Sequence, residues 1–147
     1  MKFIVIDYLT EINVSSVGGR FDKGTAEAVR ELRSLAAELD VHIMLLHQIN
    51  RDFKGRSNKR PQLSDLRDSG EIEEKADSVF FVHRPQYYEC NEKGIDEPKV
   101  QDDSELLISK QREGATGAIN MIWYPEIVYF QDFHDKKVRG PVNYLQQ

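Results

Sequence analysis

Three short apolar runs, FIVI at 3–6, IMLL at 43–46 and VFFV at 79–82, constrain the fold of this chain more than any other feature. The first has three β-branched residues in succession and is apolar at both parities, the pattern of a strand buried on both faces of a parallel sheet. Between the first two runs Val29, Leu32, Leu35, Ala36 and Leu39 recur at helical spacing. Thr25 stands where an N-cap is expected, and Arg30, Glu31, Arg33 and Glu38 lie mostly off the stripe. A strand, a helix and a strand in that order predict a parallel pair joined by a right-handed crossover.

The flanking polar residues suggest where ligands collect. Asp7 closes the first run and HQIN, with Gln48, closes the second. In open parallel sheets the carboxyl ends of the strands form the binding rim, so Asp7 either holds a cation there or caps a turn. Residues 13–24, rich in Gly, Ser and Asn, read as a loop. LSDLRDSGEIEEKA reads as a short helical stretch in which Ser64 can cap and Gly70 interrupts. Residues 85–103 are polar and turn-rich and read as an exposed, mobile excursion. ELLISKQ and GAINMIWY flank a glycine-marked turn, which predicts a hairpin, and IVYFQDF adds an edge strand. Residues 135–147 read as a loosely held tail.

Composition narrows the class. A chain of 147 residues with 39% hydrophobic and 31% charged residues reads as a single domain, long enough for one core. Its apolar runs are far too short to cross a bilayer, and its first residues lack a leader pattern. The lone cysteine, Cys90, has no disulfide partner in the chain and belongs to no metal knuckle, so a reducing cytoplasm is expected. The formal charge of −5 argues against a sequence-blind nucleic-acid binder. The average hides a polarity. Residues 51–60 hold five basic side chains and one acid, net +4, while residues 68–77 hold five acids and one lysine, net −4. A basic loop thus adjoins an acidic segment, and solvation alone is one reading of it.

From Asn50 to Arg84 the chain resembles the RecA-like motor domain of DnaB-type replicative helicases. The family pattern of Asn-Arg, a basic loop, Arg-Pro, Ser-Asp-Leu-Arg, a carboxylate, Ser-Gly, Ile-Glu and Ala-Asp is met by Asn50, Arg51, Arg60, Pro61, Ser64, Asp65, Leu66, Arg67, Asp68, Ser69, Gly70, Ile72, Glu73, Ala76 and Asp77. The likeness runs back to FIVIDYL and forward to SKQREGATG, over roughly residues 3–124. It implies an α/β fold, a partial RecA-like (P-loop NTPase type) parallel sheet flanked by helices, with an antiparallel hairpin near the C-terminus.

The resemblance also implies roles. Asp7 matches the Walker B acid that holds the water shell of Mg²⁺ on ATP, and magnesium favours such water-rich coordination. Gln48 matches the glutamine that contacts the γ-phosphate or the attacking water, with His47 beside it where the family commonly has serine. Lys110 and Arg112 match the Lys-Gln-Arg whose arginine enters the neighbouring subunit's nucleotide site, a task suited to a permanently charged fork. Residues i and i+2 of a strand share a face, so the two cations are expected to point together. Arg67, Asp68 and Gly70 match the loop that grips the backbone of single-stranded DNA without reading its sequence, with Asp68 in place of glutamate.

No Gly-x-x-x-x-Gly-Lys-Ser/Thr pattern occurs in these residues. The chain therefore resembles the C-terminal half of a motor domain, and it is expected to need the N-terminal half, further copies of itself or an intact helicase subunit, and single-stranded DNA as partners. No membrane partner is expected. By itself it is expected to bind nucleotide weakly and to hydrolyse none. A non-enzymatic module that binds single-stranded DNA or a helicase subunit is the alternative. A receiver domain with Asp7 as phosphoacceptor would need an acidic pair before that residue.

Overall fold

The computed structural model describes residues 2–8, 21–49, 55–96 and 101–133, with backbone alone at 21–26 and 67–71. The element order is β1 (Phe3–Ile6), α1 (Phe21–Leu39), β2 (His42–Leu45), a 3-10 segment (Leu63–Ser69), α2 (Gly70–Lys75), β3 (Ser78–His83), α3 (Pro85–Lys93), β4 (Asp102–Gln111), β5 (Gly117–Tyr124), a 3-10 turn (Pro125–Ile127) and β6 (Tyr129–Asp132). These elements fall into two compact units, residues 1–56 with 61–79, and residues 57–60 with 80–147.

In the first unit β1 and β2 run parallel, with Phe3 beside His42, Ile4 beside Ile43, Val5 beside Met44 and Ile6 beside Leu45. The helix between them makes this the strand–helix–strand unit that the apolar spacing predicts. Ala28 and Val29 of α1 and Ile72 of α2 are buried together, and Leu45 packs against them. The helices thereby pack on the Leu45 side of the sheet, where Ile4 stays 38% exposed. The other is open: Phe3 is 54% exposed, Val5 56% and Met44 46%. The expectation of a strand buried on both faces is therefore corrected, because no described element lies against Phe3, Val5 and Met44. The same applies to the C-terminal end of the α1 stripe, where Leu35 and Leu39 are exposed.

Helix α1 begins at Phe21, ahead of the expected cap at Thr25. It ends in a left-handed residue, Asp40 at φ 50°, and Val41 N–H donates back to the Ala36 carbonyl at 3.0 Å. This reversal satisfies an end carbonyl and turns the chain directly into β2. Arg33 donates to the Lys75 carbonyl and reaches Asp77 Oδ1 at 3.2 Å, tying α1 to the end of α2.

The remaining sheet has the order β3-β4-β5-β6. β4 and β5 form the expected hairpin, from Asp102 beside Trp123 to Ile108 beside Gly117, and β6 adds the edge with Phe130 beside Trp123. Residues 85–93 depart from expectation. They form a helix rather than part of an excursion, with Pro85 at its first turn, Cys90 buried, and Gly94 at φ 62° closing it. Proline at the start and glycine at the end are helix punctuation, and here they outweigh the polar composition. The expected tail at 135–147 lies outside the described residues.

Candidate functional site

Asp7 and Gln48 stand at one rim of the first unit. β1 ends at Ile6 and β2 at Leu45, adjacent in register, and Leu46 N–H donates to the Ile6 carbonyl at 2.9 Å. Asp7 follows the first strand by one residue and Gln48 the second by three, so both leave the carboxyl ends of two hydrogen-bonded parallel strands. Both are exposed to solvent. An exposed carboxylate at that position can keep a cation's water shell in place, and the amide beside it can donate to an anion without adding charge. Among the described residues there is no cluster of three or more His, Cys, Asp and Glu that could hold a metal by itself. The donor set present therefore suits a hydrated hard cation that takes its other ligands elsewhere, as Mg²⁺ on a triphosphate does. His47, in the same strand end, is half-buried and its pKa lies below the ordinary value because burial disfavours the charged ring.

Arg67 and Asp68 fall in the 3-10 segment and Gly70 opens α2; their side chains lie outside the described ones. What leads into them is well held. Asp65 is buried, accepts Gln62 N–H at 2.8 Å and Arg56 Nη2 at 2.6 Å on the same Oδ2, and Leu66 breaks the helical dihedrals with φ −85° and ψ 19°. A buried carboxylate with a backbone donor and a guanidinium thus pins the turn immediately before Arg67. The sequence signalled Asp65 only as one letter of a motif; the tie to Arg56 needed the fold.

In the second unit the β4–β5 hairpin carries the other predicted cations. Lys110 is on β4 and is half-buried, while Arg112 lies one residue beyond the strand end at Gln111, in the turn, and is exposed. Strand alternation, on which the expectation of a shared face rests, therefore ends at Gln111 and does not extend to Arg112. The turn is tight. A Cβ on Gly114 would come within 2.8 Å of the Gln111 Cγ, so a side chain there would have to displace that of Gln111.

The basic stretch is more occupied than its charge suggests. Besides the pairing of Arg56, Lys59 is bound to Glu92, and Arg60 Nη2 reaches Glu105 at 3.2 Å. The second unit also contains a feature absent from the sequence reading. Arg84 binds the buried Asp102 and lies over the rings of Tyr87 and Trp123, at 5.4 and 5.1 Å. A groove of about 460 Å³ is lined by Pro85, Gln86, Glu89, Cys90, Lys93 and Asp103, among others. Among the described residues no helix is long and apolar enough to cross a membrane.

With this geometry in view, likeness to known proteins can be placed. Residues 1–132 match the family of the DnaB-like helicase C-terminal domain. The replicative DNA helicase DnaB of Buchnera aphidicola subsp. Baizongia pistaciae is 37% identical over 139 residues, 93% of this chain and 28% of the relative. A probable plasmid replicative DNA helicase of Chlamydia psittaci is 41% identical over 113 residues, 76% of this chain and 23% of the relative. The solved structure of a DnaB-like replicative helicase, described with its interactions with primase, superposes with a TM-score of 0.77 at 32% identity, over 88% of this chain and 30% of that one. A solved ATPase domain gives a TM-score of 0.77 at 32% identity, over 88% of this chain and 44% of its own. This chain spans less than a third of the length of these curated relatives.

Proposed function

Because this chain belongs to the family of the DnaB-like helicase C-terminal domain, we propose that it is a segment of the motor of a cytoplasmic replicative DNA helicase, which couples nucleoside triphosphate hydrolysis to movement along single-stranded DNA. The observation that carries this reading is the common rim of Asp7 and Gln48 at the carboxyl ends of paired parallel strands. Asp7 holds the water shell of Mg²⁺, which neutralises phosphate charge when bound. Gln48 directs its amide toward the terminal phosphate or the attacking water. Arg112, at an exposed hairpin tip with Lys110 behind it, reaches the nucleotide of an adjoining subunit and stabilises developing charge there. Arg67 and Gly70 contact the DNA backbone, with Asp68 shaping their loop.

Most of the hold on a triphosphate comes from a cradle of backbone amides with a lysine, and no such pattern occurs in these residues. The chain alone therefore hydrolyses no appreciable ATP. Its activity appears when the rest of the motor domain is supplied. The test is a chimera in which this chain replaces the matching segment of the Buchnera helicase. DNA-stimulated ATPase activity is expected in the chimera, and Arg112→Ala is expected to lower it by roughly 10³-fold. A chimera whose activity is indifferent to Asp7→Ala and Arg112→Ala refutes the reading. An inert chimera, together with salt-sensitive binding of single-stranded DNA by the chain itself, favours the non-enzymatic module instead.

A further inference from the structure

Arg56 carries one of the five positive charges of residues 51–60, and its guanidinium is turned onto the polypeptide itself. Its Nη1 donates to Gln62 Oε1 at 3.1 Å and its Nη2 to Asp65 Oδ2 at 2.6 Å. The same Oδ2 accepts Gln62 N–H at 2.8 Å, and Asp65 N–H donates to the Gln62 carbonyl at 2.9 Å. Gln62 immediately precedes the 3-10 segment Leu63–Ser69, so the carboxylate three residues on closes the first turn as the acid of a capping box does. The arginine fork then ties both ends of that turn together. Asp65 is 9% exposed, and Pro61 and Leu66 are buried with it.

We propose that Arg56 and Asp65 are positioning residues for the DNA grip: their pair fixes the turn from which the Arg67–Gly70 backbone departs, and Arg56 gives no charge to a DNA phosphate. This rests on the reading of Arg67 and Gly70 as DNA contacts. Three observations carry it. The segment changes direction at Leu66, whose φ −85° and ψ 19° leave the helical range, so the path of residues 67–70 is set by whatever holds 65 and 66. Asp65 is held by Arg56 through a charge-assisted bond to a side chain that is only 8% exposed. Turning the guanidinium to a solvated phosphate would leave that carboxylate buried without its counter-charge, a heavier loss than a salt-screened phosphate contact repays. A lysine is no substitute at 56, because the two acceptors lie three residues apart and a planar fork spans them where a single ammonium does not.

In the chimera with the Buchnera helicase, Arg56→Gln and Asp65→Asn are each expected to raise the half-saturating concentration of labelled oligothymidylate by about tenfold. The double variant is expected to lose no more than the worse single one, because both changes break one clamp. Salt dependence separates positioning from contact. Arg67→Gln removes a phosphate contact and is expected to flatten the slope of log affinity against log salt by about 0.7, whereas Arg56→Gln keeps the parent slope. In the 147-residue chain by itself, Arg56→Gln is expected to speed amide exchange at residues 66–70 while residues 3–6 and 42–45 keep the parent rates. Parent affinity in the single variants, additive losses in the double variant, a slope flattened by Arg56→Gln, or exchange at 66–70 indifferent to it each overturns the inference. DNA binding that ignores Arg67→Gln defeats the reading of the loop and the inference with it; a response to Arg67→Gln and none to Arg56→Gln defeats the inference alone. If Asp65→Asn fails to fold, the slope and the exchange of Arg56→Gln decide.

Discussion

Arg84 grips Asp102 through two donors that converge on one oxygen, Nε at 3.2 Å and Nη2 at 2.8 Å from Oδ2, with the carboxylate wholly withdrawn from solvent. The guanidinium is also packed over Tyr87 and Trp123. It therefore joins the start of α3 to the first residue of β4 and to β5, and the segment read from sequence as an excursion is held down at its root.

Breaking this pair leaves a mostly buried guanidinium without its counter-charge. Asp102→Ala should cost about 3 kcal/mol, the lower end of the range for buried pairs because Arg84 keeps some contact with water. Urea unfolding followed by circular dichroism measures the loss. An Asp102→Ala chain as stable as the parent would show that the pair contributes nothing net.

Acid should destabilise the fold through two histidines. Burial holds the pKa of His83 below the ordinary 6.5, with Glu105 opposing and Arg60 reinforcing the effect, and burial does the same for His47. The unfolded chain then binds protons that the native rings refuse. The stabilisation is complete above 6.5 and is lost as pH falls through 6.5 toward the lowered native values. Urea midpoints at about pH 7.5 and about pH 5.5 bracket the window. His83→Phe, which keeps a ring against Tyr88 at the stacked distance of 5.7 Å, should flatten part of the slope. A midpoint that rises on acidification contradicts the sign.

The two left-handed helix ends should respond oppositely to substitution. Gly94 has φ 62° and no atom within 4 Å of an added Cβ, so Gly94→Ala pays for backbone conformation alone, about 1 kcal/mol. Asp40 already carries a side chain at φ 50°, and Asp40→Gly should gain about 0.5 kcal/mol. Thermal midpoints of the two variants should move in opposite directions; a shared direction would mean that side-chain contacts outweigh the dihedral term.

The small core of the first unit predicts a contrast between neighbouring apolar residues. Ile72→Ala should cost about 2–3 kcal/mol, since Ile72 is buried with Ala28 and Val29. Leu39→Ala, at a residue 48% exposed, should change stability by less than about 0.5 kcal/mol. Equal losses would place an unrecognised surface over Leu39.

Local order was well marked in the residues. Short apolar runs placed β1, β2 and β3, the helical stripe placed α1, and the glycines of REGATG placed the β4–β5 turn. The rim that carries Asp7 and Gln48 was also legible, since a crossover of helical length between two apolar runs leaves only a parallel pair with its carboxyl ends together. Helix α3 was obscured by its polar composition, because the contacts that stabilise it, Arg84 to Asp102 and His83 to Tyr88, join residues whose proximity appears only once the sheet has formed.

By itself the sequence determined periodicity, punctuation and the order of strands and helices, all of which follow from interactions within a few residues. Only the tertiary structure decided which apolar faces are covered and which charges are paired: Leu45 lies against α1 and α2 while Phe3 and Val5 face solvent, and Arg56, Lys59 and Arg60 are held by Asp65, Glu92 and Glu105. Burial and ion pairing depend on what arrives from distant positions in the chain, and a pattern of neighbours carries no record of that arrival.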